Sequence, residues 1–200
     1  MNKAKIIQQS GSVSSPRNLL YAIMLLLASM LLPAFAAEQH TTIATSEFGT
    51  VAVAAPEEAI KGFVILFSGE EGISQEDQKA IDRLLMAGIA VAAIDTQAAL
   101  KNLNAGDSKT CINLSGPLEW VSHNAQHELK LARYDEPVLL GRGNGAALVY
   151  AALVQAPPLS FGGGLSVDFV PRLPLQRPLC TLMTAPGEAG YQTFTDGQTL

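Results

Sequence analysis

The sequence predicts an α/β domain built on a mostly parallel sheet with helices on both faces. Three observations carry that prediction. Short apolar runs alternate with amphipathic stretches along most of the chain, and one such run passes directly into a glycine-rich turn and an apolar helix. The composition, 48% hydrophobic and 16% charged over 200 residues, is that of one folded domain. A disordered chain would hold fewer aliphatics and more charge, and a polytopic membrane protein would need several apolar runs of about 18 residues or more. The chain is neither.

Residues 1–36 read as a secretory signal peptide. Lys3, Lys5 and Arg17 form a basic lead, Leu19–Leu32 is an almost unbroken apolar run, and Ala34-Phe35-Ala36 places small residues where a signal peptidase reads them. The competing reading is an uncleaved anchor, for which the run is short against a hydrocarbon core of ~30 Å. Cleavage before Ala37 puts the mature chain in an oxidising compartment, a bacterial periplasm, peripheral to the membrane at most. Residues 37–183 are then expected to form the domain and residues 184–200 a tail or linker.

The elements of the domain follow in order. Thr42–Ala54 reads as one or two edge strands with a turn at Phe48-Gly49. Phe63–Phe67 is a continuous apolar run bounded by Gly62 and Ser68-Gly69, the pattern of a strand buried on both faces. Ser74 is placed to cap a helix over Gln75–Ala87, with Glu76 and Asp77 in its first turn and Gly88 as its stop. Ile89–Ile94 is a second buried strand ending at Asp95. The stretch Gln97–Gly116, rich in Asn, Gly, Asp and Ser, reads as a loop. Pro117 opens a helix to about Arg133, with Leu118, Val121, Ala125 and Leu129 at helical spacing. Pro137–Leu140 is a short strand, Ala146–Gln155 an apolar helix stopped by Pro157-Pro158, and Gly164–Phe169 a last strand.

The ligand site of an open parallel sheet lies at the carboxyl ends of its strands. Ser68, Gly69, Glu70, Glu71, Asp95, Arg142, Gly143, Asn144 and Asp168 are therefore the candidate pocket residues. Gly141-Arg142-Gly143-Asn144-Gly145 has the frame of a nucleophile elbow, G-x-S-x-G, but its central residue is glycine. Asn144 comes one position late. His40, His123 and His127 all precede Gly143, whereas the triad order needs a histidine after the nucleophile. No catalytic residue is expected. Ser68, at a strand end beside a glycine-rich turn, is the candidate nucleophile of a rival, unorthodox esterase. Two other readings of the elbow stand beside this one: a loose dinucleotide fingerprint, Gly141-x-Gly143-x-x-Ala146, and glycines that simply let a helix approach the sheet.

The remaining signals are charge and cysteine. Thirteen Lys and Arg against 18 Asp and Glu give a formal charge of −5, more negative once Lys3, Lys5 and Arg17 leave with the signal peptide. No nucleic-acid partner is expected. Glu70, Glu71, Asp95 and Asp168 make the carboxyl edge acidic and attractive to amines, with Arg142 the one cation able to meet an anionic head group. His123 and His127 share a helix face but lack the HExxH order, so neither a metal nor a cofactor is expected. Cys111 and Cys180 either pair or stay as buried thiols. A bond would close a loop of about 70 residues, worth ~4 kcal/mol on the chain-entropy model. It would also lace loops over the pocket if both cysteines lie at the carboxyl edge.

Phe67-Ser68-Gly69-Glu70-Glu71-Gly72, the helix that follows, and Ile89–Thr96 resemble the "SGDGGW … G-x-V-x-G-x-D" block of the bacterial virulence proteins AcvB and VirJ. Pro137–Gly141 with the alanine-rich helix to Pro157 resembles their next block. The resemblance runs from about Thr42 to Met183. It implies an α/β-hydrolase-like fold, truncated or incomplete here, because AcvB-like proteins carry two such units and this chain is similar to the first. It also implies a periplasmic location, a part in hydrolysis of lysyl-phosphatidylglycerol, and contact with secretion-system or other envelope proteins. Glu70 replaces the family's Asp, Ile73 its Trp and Gly143 its Ser. The expected function is a non-catalytic domain that binds an aminoacylated phospholipid head group or an envelope protein. The alternatives are a self-sufficient esterase or a structural adaptor.

Overall fold

Two strands open the fold as a hairpin, β1 (Gln39–Thr45) and β2 (Gly49–Ala55). The turn needs Gly49, whose φ is +72°, and Thr45 closes it by accepting the Phe48 N–H at 2.8 Å. Four more strands complete the sheet: β3 (Gly62–Phe67), β4 (Ile89–Ile94), β5 (Val138–Arg142) and β6 (Gly163–Val167). The computed structural model describes residues 39–107, 109–180, 184–186 and 192–194. The signal peptide expected over residues 1–36 lies outside the described residues.

The strand order is β1-β2-β4-β3-β5-β6, with β2 antiparallel to both neighbours and β3 to β6 mutually parallel. Among the described residues three helices cover one face, α2 (Thr96–Ala105), α3 (Ser115–Glu128) and α4 (Asn144–Gln155), and α1 (Gln75–Met86) covers the other. Strand β3 shows why. Its Phe63, Ile65 and Phe67 enter the larger core with α2, α3 and α4, while Val64 and Leu66 pack under Ile81 of α1. This is the mostly parallel sheet with helices on both faces that the apolar runs imply.

The sequence reading of Gln97–Gly116 as a loop is corrected by α2. Asp95 caps that helix by accepting the Ala98 N–H at 2.9 Å, and Thr96, Ala99, Leu100 and Leu103 are its buried face. Asn102 and Asn104 signal a turn, yet Asn104 is satisfied across the fold: its amide donates to the Pro174 carbonyl and accepts the Gln176 N–H, both at 2.8 Å. Tertiary partners thus outweigh local preference. The other helices differ from expectation only at their ends, α3 starting at Ser115 and α4 at Asn144.

After β6 the chain crosses the larger core as a strap, burying Leu173, Leu175 and Leu179. Arg177 pins it by donating to the carbonyls of Leu103, Asp107 and Thr110. Within the stretch read as a tail, β8 (Thr184–Pro186) and β9 (Gln192–Phe194) form a small sheet with β7 (Arg172–Leu173). The other residues from 181 onward lie outside the described ones.

Cys111 and Cys180 are joined as a disulfide. It does not lie over the carboxyl edge. Gln155, the last residue of α4, donates to the carbonyls of Ile112 and Cys180 and accepts the Leu114 N–H. The bond therefore sits at the far end of α4, about 16 Å from the turn that starts that helix at 1.5 Å per residue. It fastens the strap to the loop before α3.

Candidate functional site

Register places the predicted residues along one edge. Phe67 is level with Ile94 and Gly141, and Arg142 with Val167, so Ser68, Asp95, Gly143 and Asp168 all follow strand ends on the same side of the sheet. Their side chains then part company.

The elbow is built as its glycines require. Gly143 has φ +56° and ψ −120°, a conformation closed to nearly every side chain at low cost, and its N–H bonds the Val167 carbonyl at 3.0 Å. A methyl on Gly141 would stand 2.7 Å from the Ala146 nitrogen, and one on Gly145 would stand 2.9 Å from the Phe67 Cβ and overlap the Ser68 carbonyl. These two glycines let α4 descend onto the sheet. The close-packing reading and the elbow reading of the sequence are thus one geometry.

No nucleophile stands at its tip. A Cβ built on Gly143 would lie 3.6 Å from the Glu70 Cγ and 3.9 Å from its Oε1. In a serine hydrolase a loop after the third strand donates an N–H to the developing oxyanion. Here the loop after β3 carries the exposed Glu70 carboxylate beside Gly143, and a negative charge opposes an oxyanion. Glu70 and Glu71 form the exposed tip of a turn closed by the Gly72 N–H on the Gly69 carbonyl at 3.3 Å. Asn144 begins α4 half-buried, and Asp168 is exposed with φ +53°.

Ser68 is not an accessible hydroxyl. It is fully buried and its Oγ accepts the Thr96 N–H at 2.9 Å, while the Thr96 hydroxyl donates to the Ser68 carbonyl at 2.6 Å. The pair locks the end of β3 to the start of α2. As the nucleophile of a rival esterase, Ser68 is excluded by this geometry.

Arg142 is likewise committed. Its guanidinium donates to the Ser74 Oγ at 3.2 Å, lies 3.4 Å from Asp77 Oδ2 and 3.7 Å from Glu76 Oε2, and passes over Gly69. Ser74 and Asp77 form a reciprocal capping box at the start of α1. Burial pushes the Asp77 carboxyl up, but the Ser74 N–H and hydroxyl and the Arg142 charge together hold it below the ordinary carboxylate range. Arg142 is therefore a brace between β5 and α1. The reading of it as a receptor for an anionic head group gives way to that role. Asp95, besides capping α2, sits against Gly72, where a Cβ would stand 2.8 Å from its Oδ2.

The three histidines stand on β1 and α3. His40 lies in the row of Val138 on β1, four strands from β5, roughly 19 Å at ordinary strand spacing. His123 stacks on Tyr134 with ring centroids 4.1 Å apart, and His127 is in the last turn of α3. Among the described residues no group of three His, Cys, Asp or Glu could hold a metal ion, and no helix is long and apolar enough to cross a membrane.

No family model and no curated protein sequence matches this chain. Solved structures do resemble it. The Francisella virulence factor BioJ shares 13% identity at a TM-score of 0.46, covering 74% of this chain and 49% of its own. A thermostable carboxyl esterase from Bacillus coagulans shares 20% at 0.47, covering 65% and 44%. A dienelactone hydrolase from Anabaena variabilis shares 17% at 0.45, covering 64% and 62%. The chain spans about half the length of the first two. Likeness at this level concerns backbone arrangement, so the chemistry of the edge rests on its own residues.

Proposed function

We propose that this chain is a non-catalytic, periplasmic, AcvB/VirJ-like domain whose carboxyl edge recognises an amine-bearing head group. Lysyl-phosphatidylglycerol is the ligand class that suits it, in support of hydrolysis of that lipid by a catalytic unit or of virulence-related secretion. The observation that carries the reading is the Glu70 carboxylate over Gly143. A turn with the frame of an elbow has a glycine at its tip and an exposed carboxylate beside it, so a cation is the species its field favours. Glu71 and Asp168 are exposed on the same edge and add to the field. Since Arg142 is held by Ser74 and Asp77, recognition falls on the amine rather than the phosphate.

Liposome flotation tests this. The protein should partition onto vesicles containing lysyl-phosphatidylglycerol and not onto plain phosphatidylglycerol. The difference should shrink with salt, because exposed charges are screened over ~8 Å at physiological ionic strength, and should shrink again in Glu70→Gln. Equal partition onto both vesicles, or none onto either, removes the lipid reading and leaves an envelope protein as the partner.

A further inference from the structure

We infer that two copies of this chain associate through β6, pairing edge to edge and antiparallel about Leu165. Among the described residues β6 is the last strand of the sheet and its outer edge has no partner. Natural sheets blunt such edges with charge, proline or a bulge. This one has none of them: Gly163–Val167 reads Gly-Gly-Leu-Ser-Val, and from Gly143 to Val167 there is no Asp, Glu, Lys, Arg or His. The opposite edge, β1, is by contrast rich in threonine and carries His40.

Exposed apolar side chains follow the same strand. Leu165 is 58% exposed and Val167 46%, with Val138 beside them on β5 at 37%. Register sets Val138 against Gly163, Leu140 against Leu165 and Arg142 against Val167, so these side chains share the α1 face of the sheet. There Leu165 and Val167 line a groove of about 270 Å³ between α1 and the edge, with Leu66, Ala80 and Leu140 on its floor and Glu76, Asp77 and Arg142 toward α1. Helix α1 covers the centre of the sheet and reaches β5 through Leu140 and Arg142, leaving Leu165 and Val167 of β6 exposed.

The occupant is a second copy because the strand is complementary to itself. In an antiparallel pair centred on Leu165, Leu165 faces its own counterpart, Gly164 faces Ser166, and Val167 faces Gly163. A Cβ placed on Gly163 meets nothing within 4 Å, so the strand offers a vacancy where the valine of the other copy would enter, beside Val138. A two-fold contact demands that a surface match itself, and this one does in size as well as pattern. Charge agrees. Two negatively charged chains repel each other, and β6 itself, which carries no ionisable side chain, is a place where they meet without apposing like charges along the strand. The pairing also brings the two grooves side by side, adding apolar area to a strand only ~17 Å long.

Sedimentation of the purified protein over a wide concentration range tests the pairing. The dimer mass should dominate at the high end, and Leu165→Lys should return the protein to the mass of one chain at every concentration. Leu165→Cys, oxidised, should yield a dimer linked through residue 165 of each copy, since directly opposed residues have Cβ atoms within ~5.5 Å. That variant decides the matter if the lysine substitution fails to fold. A single-chain mass for the unmodified protein throughout, a dimer that survives Leu165→Lys, or oxidised Leu165→Cys that stays monomeric would each overturn the inference.

Discussion

The Glu70 side chain occupies the space in front of Gly143, with its Cγ 3.6 Å and its Oε1 3.9 Å from where a Cβ on that glycine would stand. Two residues far apart in sequence thereby meet at one turn. The strand, the turn and the helix have the frame of an elbow, with a glycine at the tip and a carboxylate beside it.

The elbow glycines should behave unequally on substitution. Gly145→Ala drives a methyl into the Ser68 carbonyl and within 2.9 Å of Phe67 Cβ, both parts of the buried sheet. It should cost about 1–3 kcal/mol or more, by forcing α4 off the sheet. Gly116→Ala, where the nearest atom lies 3.7 Å away, should change stability by a few tenths at most. Urea unfolding of the two variants makes the comparison.

Ser68→Ala should cost about 1–3 kcal/mol, since it leaves the buried Thr96 N–H without its acceptor. Binding to vesicles should survive in the folded fraction. A loss of function with unchanged stability would instead return Ser68 to the list of active groups.

Legibility from sequence was uneven, for physical reasons. Phe63–Phe67 and Ile89–Ile94 are buried on both faces, so their composition alone announces them, and the Ser74 cap was readable because a capping box is local. Helix α2 was missed because Asn102 and Asn104 are turn formers, and the cost of Asn104 is met by the strap, through partners about 70 residues away. At the site, the residues of the carboxyl edge could be named from strand ends. Their fates could not: whether Arg142 meets a ligand or Asp77, and whether Ser68 faces solvent or Thr96, depends on side-chain direction across elements. The disulfide could be stated as a pairing, but its place at the far end of α4 needed the path of the strap.

The Asp77 carboxyl gives stability a definite pH dependence. Its folded-state value is held below the ordinary 3.8, so its contribution is fully present above that value and is lost as pH falls through the lowered one. Asp77→Asn should therefore lower stability at neutral pH and flatten the acid limb. Urea midpoints measured from neutral pH downward should show the two curves converging at the acid end.

The Cys111–Cys180 bond should appear as an absence of alkylatable thiols in the native protein. Its separation of 69 residues sets an entropic contribution of ~4 kcal/mol on the chain-entropy model. Reduction should lower the melting temperature. It should leave the elbow's ligand binding intact at temperatures where the protein stays folded, because the bond lies a helix length away.

The most direct measurement of the central claim, an elbow that binds without reacting, follows one sample in two ways. Protein is mixed with lysyl-phosphatidylglycerol vesicles, free lysine is assayed over time, and a fluorophosphonate probe is scored by intact mass. The account predicts protein on the vesicles, lysine release at the buffer rate and no adduct. It predicts the same chemical silence for Gly143→Ser, which places a hydroxyl at the tip but leaves Glu70 over it and supplies no histidine base. Protein-dependent lysine release, or a stoichiometric adduct on the unmodified chain, would contradict it.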